Sequence, residues 1–334
     1  MKKIFIILSL TASAMLLSCS GEDELSPSLS DKDRLPELLD TSIPTVKEYK
    51  DNYGINMLYQ FDDTLDFKFG FYQNATNNLW KKIIVTKLDT KEKVDFAFEK
   101  FNEDITPYFN DTFKKMMPKK ILMADIVELE SNPDNLMGEA DVTETGTVNA
   151  ISAKFSYMLA YNKESMETFK EVKLANMRKT KLFHLICTVI NNNNLYSQVP
   201  DGFSSEVKHL YGASVDSLAQ EEPELPVGTG PYASYYTPEW YIGLGLPITL
   251  HSPNRTAGSN FTQRVRKNSS LSVPDFERDF RNFVCVMVFE SESNIKTYYL
   301  PSELFCRRMA IALQTMKQWG IDVEAINPAM KLFL

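Results

Sequence analysis

The chain has 334 residues, of which 43% are hydrophobic and 24% are charged, and its formal net charge is −8. A chain of this size and composition can bury one large core, so we expect a single domain after the N-terminal segment. Basic residues occur only in isolated groups such as Arg307-Arg308, and this pattern with the acidic balance argues against nucleic acid as a partner.

The N-terminus has the pattern of an export signal. Met1-Lys2-Lys3 is followed by a largely apolar run from Ile4 to Leu17, which is shorter than the roughly 20 residues that a membrane-spanning helix needs. Ser18 precedes Cys19, with leucines upstream, as is typical of a lipoprotein signal. We therefore expect residues 1–18 to be removed and Cys19 to be acylated, so that the lipid anchors the protein to a membrane.

Residues 19–45 are predicted to be a flexible tether. Up to about Leu39 the chain is rich in Ser, Pro and Asp and poor in bulky apolar residues, so it buries too little surface to fold by itself. The acidic tract Ser20 to Glu24 resembles the surface-export signal of some Gram-negative lipoproteins, and an ordinary solvated linker explains it equally well. We expect an outer-membrane protein, facing outward if the tract is an export signal, with one domain over residues 46–334.

Strand patterns dominate the first half of that domain. Ile55 to Phe61 and Phe67 to Phe71 have strand composition, with turn-forming Asp62-Asp63 between them. Lys91 to Phe109 has apolar residues at helical spacing and is predicted to be an amphipathic helix. Further predicted strands are Ile121 to Ile126, in the sheet interior, and Thr147 to Leu159.

Helix patterns dominate the second half. Glu171 to Val189 is mostly apolar with no internal Gly or Pro, and Pro200 to Ser272 is rich in turn residues and predicts long loops. Two more helices are expected, from Asp275 to Phe289 and from Ser302 to Trp319, the second closed by Gly320. Strands followed by a block of helices predict an α+β fold.

Three cysteines remain besides Cys19, namely Cys187, Cys285 and Cys306. They lie among apolar neighbours, which favours buried free thiols, and one disulfide remains an alternative.

Several short segments occur in a recognisable order. They are Tyr108-Phe109, Phe113-Lys114-Lys115, Pro118 to Leu122, Phe183 to Thr188, Pro200 with Phe203, Gly245 to Thr249, Arg278 to Asn282 and Trp319 to Val323. Together with the lipoprotein signal, this order resembles the zinc-binding metallopeptidase lipoproteins associated with substrate import, which are encoded beside outer-membrane nutrient transporters. The resemblance implies a zincin-like metallopeptidase fold, with a mixed sheet and a helical C-terminal part.

The zinc helix of that family carries His-Glu-x-x-His, because two imidazoles at i and i+4 reach one metal and the glutamate deprotonates the bound water. Here His184 matches the first ligand, but Leu185 stands at the base and Thr188 at the second ligand. The stretch that gives the third ligand corresponds to Arg278 to Asn282, with Asp279 and Asn282 inside it. The resemblance therefore implies a degenerate member, with no catalytic residue, metal or cofactor.

One alternative keeps a metal. His184, Cys187 and Cys285 are able to bind zinc if the helix at residues 171–189 faces the helix at residues 275–289. A buried histidine beside core thiols explains the same residues, and we favour that interpretation.

Five aromatic residues form a second candidate site, namely Tyr232, Tyr235, Tyr236, Trp240 and Tyr241. Their rings are able to stack on a glycan or to hold an extended peptide. More often such residues fix a long loop to the core.

The sequence therefore predicts a lipid-anchored, exported protein that is catalytically inactive. We expect it to act as a binding or accessory component of an outer-membrane nutrient-uptake system, in contact with a transporter complex. The alternative is a zinc-dependent metallohydrolase that uses non-standard ligands.

Overall fold

The computed structural model describes residues 31–68, 83–129, 140–142, 148–153, 155–220, 236–248 and 272–334. The predictions for Cys19, Tyr232 and Tyr235 lie outside these residues. The chain divides into two compact units, Met1–Leu39 and Asp40–Leu334. In the first unit the described element is helix α1, Asp31–Leu38, within the predicted tether. The second unit begins ahead of the predicted boundary at residue 46.

The second unit contains six described strands and eleven described α-helices. The strands are β1 Asn56–Leu58, β2 Ile83–Lys87, β3 Lys120–Leu129, β4 Ala140–Val142, β5 Val148–Ser152 and β6 Ser156–Ala160. The helices are α2 Pro44–Tyr53, α3 Lys91–Asp104, α4 Asp111–Met116, α5 Lys163–Met166, α6 Glu171–Asn192, α7 Val215–Gln220, α8 Pro238–Gly243, α9 Phe276–Phe289, α10 Glu292–Asn294, α11 Glu303–Gln318 and α12 Val323–Ile326. These elements confirm the α+β class.

Strand β3 is the centre of a mixed sheet with the order β1-β3-β6-β5-β4. It pairs in parallel with β1 on one side and with β6 on the other. From Ala124 to Leu129, β3 pairs with β2 in antiparallel register, on the same side as β1. The consecutive buried residues Ile121 to Ala124 explain this position, because a strand covered on both faces needs an unbroken apolar run. The predicted interior strand is confirmed.

Two other predicted strands differ from what the structure contains. The predicted strand region Thr147 to Leu159 contains two strands, β5 and β6, which form a hairpin with Ile151 opposite Met158. The sequence between them, Ala153 to Phe155, has no Gly, Pro, Asn or Asp that would indicate a turn. Phe67 belongs to a π-helical turn, Asp63–Phe67, whose first N–H groups are bonded by the side chain of Asp62. Residues 69–71 of that predicted strand lie outside the described part.

The predicted helices are present, although the one predicted over Lys91 to Phe109 ends at Asp104, and two of them begin at capping residues that the sequence indicates. Asp275 accepts a hydrogen bond from the backbone N–H of Arg278 at the start of α9, and Ser302 accepts one from Phe305 at the start of α11. Helix α6 extends to Asn192 and packs against β5 and α9. No helix within the described residues is long and apolar enough to cross a membrane.

The C-terminal helices are joined to the first half of the domain by a short backbone pairing. Asn110 donates its N–H to the carbonyl of Gly320 at 2.9 Å, Phe109 forms a bridge with Ile321, and Asp322 donates to Tyr108 at 2.9 Å. Gly320 has φ +89°, and a Cβ there would lie 1.9 Å from Asn110 Oδ1, so only glycine fits. Two of the segments that carry the family resemblance, Tyr108-Phe109 and Trp319 to Val323, therefore contact each other through their backbones.

Candidate functional site

Helix α6 carries the first candidate positions, and its second half is buried on all sides. Every residue from Thr180 to Ile190 is buried. His184 is 3% exposed, Leu185 is 0% exposed and Thr188 is 7% exposed. A helix that is covered all round is a core element rather than the wall of an open cleft.

His184 is a neutral, buried imidazole. Its Nε2 atom has no hydrogen-bond partner, and its ring packs edge-on against Phe183 with centroids 5.7 Å apart. Burial, with a smaller contribution from the positive charge of Arg281, lowers the pKa of His184 to about 3. The side chain is therefore uncharged at any physiological pH.

The two thiols near His184 are also neutral. Cys187 and Cys285 are buried and Cys306 is half-buried, and none of the three is in a disulfide within the described residues. Burial raises the pKa of Cys187 to about 11, opposed by a hydrogen bond and a positive charge from Arg281. Burial likewise raises the pKa of Cys285 above its ordinary value, with Cys187 adding to the effect. A raised thiol pKa is the reverse of what a nucleophilic cysteine needs.

The segment of α9 that corresponds to the third ligand, Arg278 to Asn282, directs Asp279 towards α11 rather than towards α6. Asp279 is fully buried and forms a salt bridge with Arg308 on α11. Its carboxylate also accepts a hydrogen bond from Tyr211 at 2.7 Å, while Oδ1 has no partner. Burial raises the pKa of Asp279, and the charge of Arg308 acts against that shift. Asn282 is half-buried.

Sequence reasoning missed Arg308, which is the centre of this second cluster. Only 1% exposed, it donates from Nε to the carbonyl of Phe203 at 2.6 Å and from Nη1 to that of Gly245. Its guanidinium lies 4.8 Å from the centroid of Phe283. One signal was available, since Arg308 shares the apolar face of α11 with residues at i−3 and i+4, both fully buried.

The residues of α6 and α9 do not fit a zinc ion. Among the residues that the structure describes, no group of three or more His, Cys, Asp or Glu side chains could hold a metal. The positive charge of Arg281 on α9 acts to lower the pKa of both His184 and Cys187. Asp279 is already paired with Arg308.

The aromatic residues that are described cluster on α8. Tyr236 is buried and donates to Asp216 at 3.0 Å, and Tyr241 is buried. Trp240 is half-buried, its ring lies 5.1 Å from Tyr236, and its indole N–H has no partner. The cluster therefore packs as part of the core, with Trp240 partly open to solvent.

A surface cleft of about 570 Å³ lies at the N-terminus of α9, between Tyr211 and Arg278. No candidate residue of α6 or α8 lines it.

Comparisons with family models, with curated proteins and with solved structures find no match for this chain. The resemblance to the metallopeptidase lipoproteins therefore depends on the ordered segments alone.

Proposed function

We propose that this protein is a lipid-anchored, exported accessory subunit of an outer-membrane nutrient-uptake system, built on a zincin-like domain that no longer catalyses hydrolysis. The observation that carries the proposal is the burial of every residue of α6 from Thr180 to Ile190.

The argument starts from what a metallopeptidase requires. Its metal needs an open coordination position for water and substrate, and its general base must reach that water. Leu185, at the position of the base, has no group that accepts a proton and is fully buried. Thr188, at the position of the second ligand, is also buried. The burial of both side chains argues against an open metal site on this side of α6.

The remaining elements of the proposal come from the sequence. The signal with Cys19 supports a lipid anchor, and the ordered segments support a place beside a transporter. A mixed sheet followed by α6 and the C-terminal helices is compatible with the zincin-like fold. A glycan or peptide is the expected ligand class, and Trp240 is the most accessible of the described residues in the aromatic cluster on α8.

Two measurements test the proposal in cells that export the full chain. Wild-type protein is expected in the outer-membrane fraction with a lipid on Cys19, whereas Cys19→Ser is expected in the soluble fraction. Cys306→Ser is the matched control and should remain in the membrane.

The second measurement is peptide hydrolysis by the purified protein with added zinc. We expect none above the level of a chelator-treated sample. Zinc-dependent hydrolysis that is lost in His184→Ala would replace this proposal with the metallohydrolase alternative.

A further inference from the structure

The cleft of about 570 Å³ at the N-terminus of α9 has a defined framework. Residues 211–212 form one wall, and residues 272–275 with residue 278 form the other. Backbone hydrogen bonds join the two walls, since Gly212 donates to Val273 at 3.0 Å and Val273 donates to Ala213 at 2.9 Å. The volume lies within the range of about 300–1,000 Å³ that is usual for sites of small molecules.

Tyr211 is the part of the cleft that the core holds in place. Its hydroxyl donates to Asp279 at 2.7 Å and accepts from Arg308 at 3.4 Å. Asp279 and Arg308 are 0% and 1% exposed, whereas the ring of Tyr211 is only half-buried. A costly buried ion pair thus fixes an aromatic ring that lines the cleft. A ring that is already held loses little freedom when a ligand binds to it.

The polar side chains of the cleft supply both donors and acceptors. Arg278, Asp275 and Ser272 line it and are exposed. No described residue pairs with the guanidinium of Arg278, and Asp275 uses one carboxylate oxygen to cap α9. The guanidinium donates, the carboxylate accepts and the hydroxyl does both. The formal charges of Arg278 and Asp275 cancel, so the cleft suits a neutral polar ligand.

We propose that this cleft binds a neutral oligosaccharide, with the ring of Tyr211 as the stacking surface and with Arg278 and Asp275 as hydrogen-bonding partners. A sugar ring has an apolar C–H face and a rim of hydroxyl groups, each of which donates and accepts. The cleft offers a partner for both. The inference rests on the proposed function as a binding component and narrows its ligand class, and it places the site at α9 rather than at Trp240.

The other ligand classes fit the cleft less well. An extended peptide is usually held through free backbone groups, but those of Gly212 and Val273 already join the two walls. An anion at the N-terminus of α9 would meet the carboxylate of Asp275, which already caps that end of the helix.

The test is calorimetric titration of oligosaccharides into the purified mature chain. The neutral probes are cellotetraose, maltotetraose, mannotetraose and xylotetraose. Tetragalacturonate and tetra-alanine represent the acidic and the peptide classes. We expect at least one neutral probe to bind with a Kd below about 1 mM, and more tightly than either of these two.

Variants locate the site. Arg278→Ala removes a donor from an exposed position and should weaken binding about tenfold or more. Tyr211→Leu should do the same, whereas Tyr211→Phe keeps the ring and should stay within about threefold of wild type. Arg307→Ala removes an exposed arginine that does not line the cleft and should have no effect. If Tyr211→Leu fails to fold, Arg278→Ala still decides the outcome.

Three results would overturn the inference. They are no binding of any neutral probe, tighter binding of tetragalacturonate or tetra-alanine, and binding that Arg278→Ala leaves unchanged. If Trp240→Ala abolished binding and Arg278→Ala did not, the site would be on α8, and the proposed function would stand without this inference. The proposed function itself would fail separately, in the fractionation of Cys19→Ser or in the zinc-dependent assay.

Discussion

Helix α9 serves two buried polar clusters that differ in how their polar groups are satisfied. On one side Asp279 forms a salt bridge with Arg308 and accepts a hydrogen bond from Tyr211. On the other side His184 and Cys187 are neutral, and the Nε2 atom of His184 has no partner. A histidine or thiol can lose its charge cheaply when buried, but an arginine cannot, so only the first cluster must be paired to be tolerated.

The comparison predicts opposite responses to mutation. Removing one partner of a buried ion pair leaves an uncompensated charge, whereas removing an unpartnered polar atom removes a cost. Each prediction below tests one part of this contrast, and each is measured by denaturant unfolding at pH 7 unless stated otherwise.

The largest effect is expected for Arg308→Met. Asp279 would remain buried without its partner, and the carbonyl groups of Phe203 and Gly245 would lose a donor. We expect the free energy of unfolding to fall by about 3–5 kcal/mol. Arg307→Met, which removes an exposed arginine paired with Glu206, should change it by less than about 1 kcal/mol. Equal effects of the two variants would refute the assignment of Arg308 as a core residue.

The next effect is expected for Leu185→Glu, which restores the missing base. Position 185 is fully buried, so a carboxylate there must be desolvated, and we expect a loss of about 3 kcal/mol. Leu185→Met keeps the volume and should cost less than about 1.5 kcal/mol. If the glutamate variant were as stable as the methionine variant, this side of α6 would have to open to water.

A smaller effect concerns pH and His184. The pKa of its imidazole is about 3 in the folded chain and about 6.5 when unfolded. As the pH falls, the unfolded state therefore takes up the proton before the folded state does. The stability that the neutral imidazole contributes is fully present above pH 6.5 and is lost as the pH falls towards 3. Between pH 7 and pH 5 we expect His184→Leu to remove about 2 kcal/mol of the wild-type decline in stability. His209→Leu, at an exposed position, should leave the decline unchanged, and an unaltered decline in His184→Leu would contradict the burial of the ring.

The smallest effect is expected for Tyr211→Phe. This change removes the 2.7 Å hydrogen bond to Asp279 but keeps the salt bridge with Arg308, so we expect a loss of about 1.5 kcal/mol. Tyr298→Phe, at a partly exposed tyrosine, is the control and should be neutral. A loss as large as that of Arg308→Met would show that Tyr211, rather than the arginine, holds the cluster together.

Much of the fold could be predicted from sequence because its signals are local. Helix α9 follows from an Asp275 cap and an apolar run, α11 from a Ser302 cap and a closing Gly320, and β3 from the four consecutive apolar residues Ile121 to Ala124. The errors have equally local causes. The sequence between β5 and β6 has no Gly, Pro, Asn or Asp that would indicate a turn, and Phe67, predicted as the start of a strand, is the last residue of a π-helical turn that begins at Asp63.

The candidate site was predicted less completely. The sequence placed His184, Leu185 and Thr188 on one helix, at the positions of the zinc motif. It placed Asp279 in the segment that corresponds to the third ligand. Its pairing with Arg308 spans 29 residues, and no pattern within one helix encodes such a contact.

The sequence by itself determined that this chain lacks the paired histidines and the glutamate of a metallopeptidase, because residue identity is enough to exclude a general base at Leu185. It also determined the α+β class, because apolar periodicity is local. Only the tertiary structure decided what took the place of that chemistry. The burial of α6 and the pairing of Asp279 with Arg308 depend on how helices distant in sequence pack together.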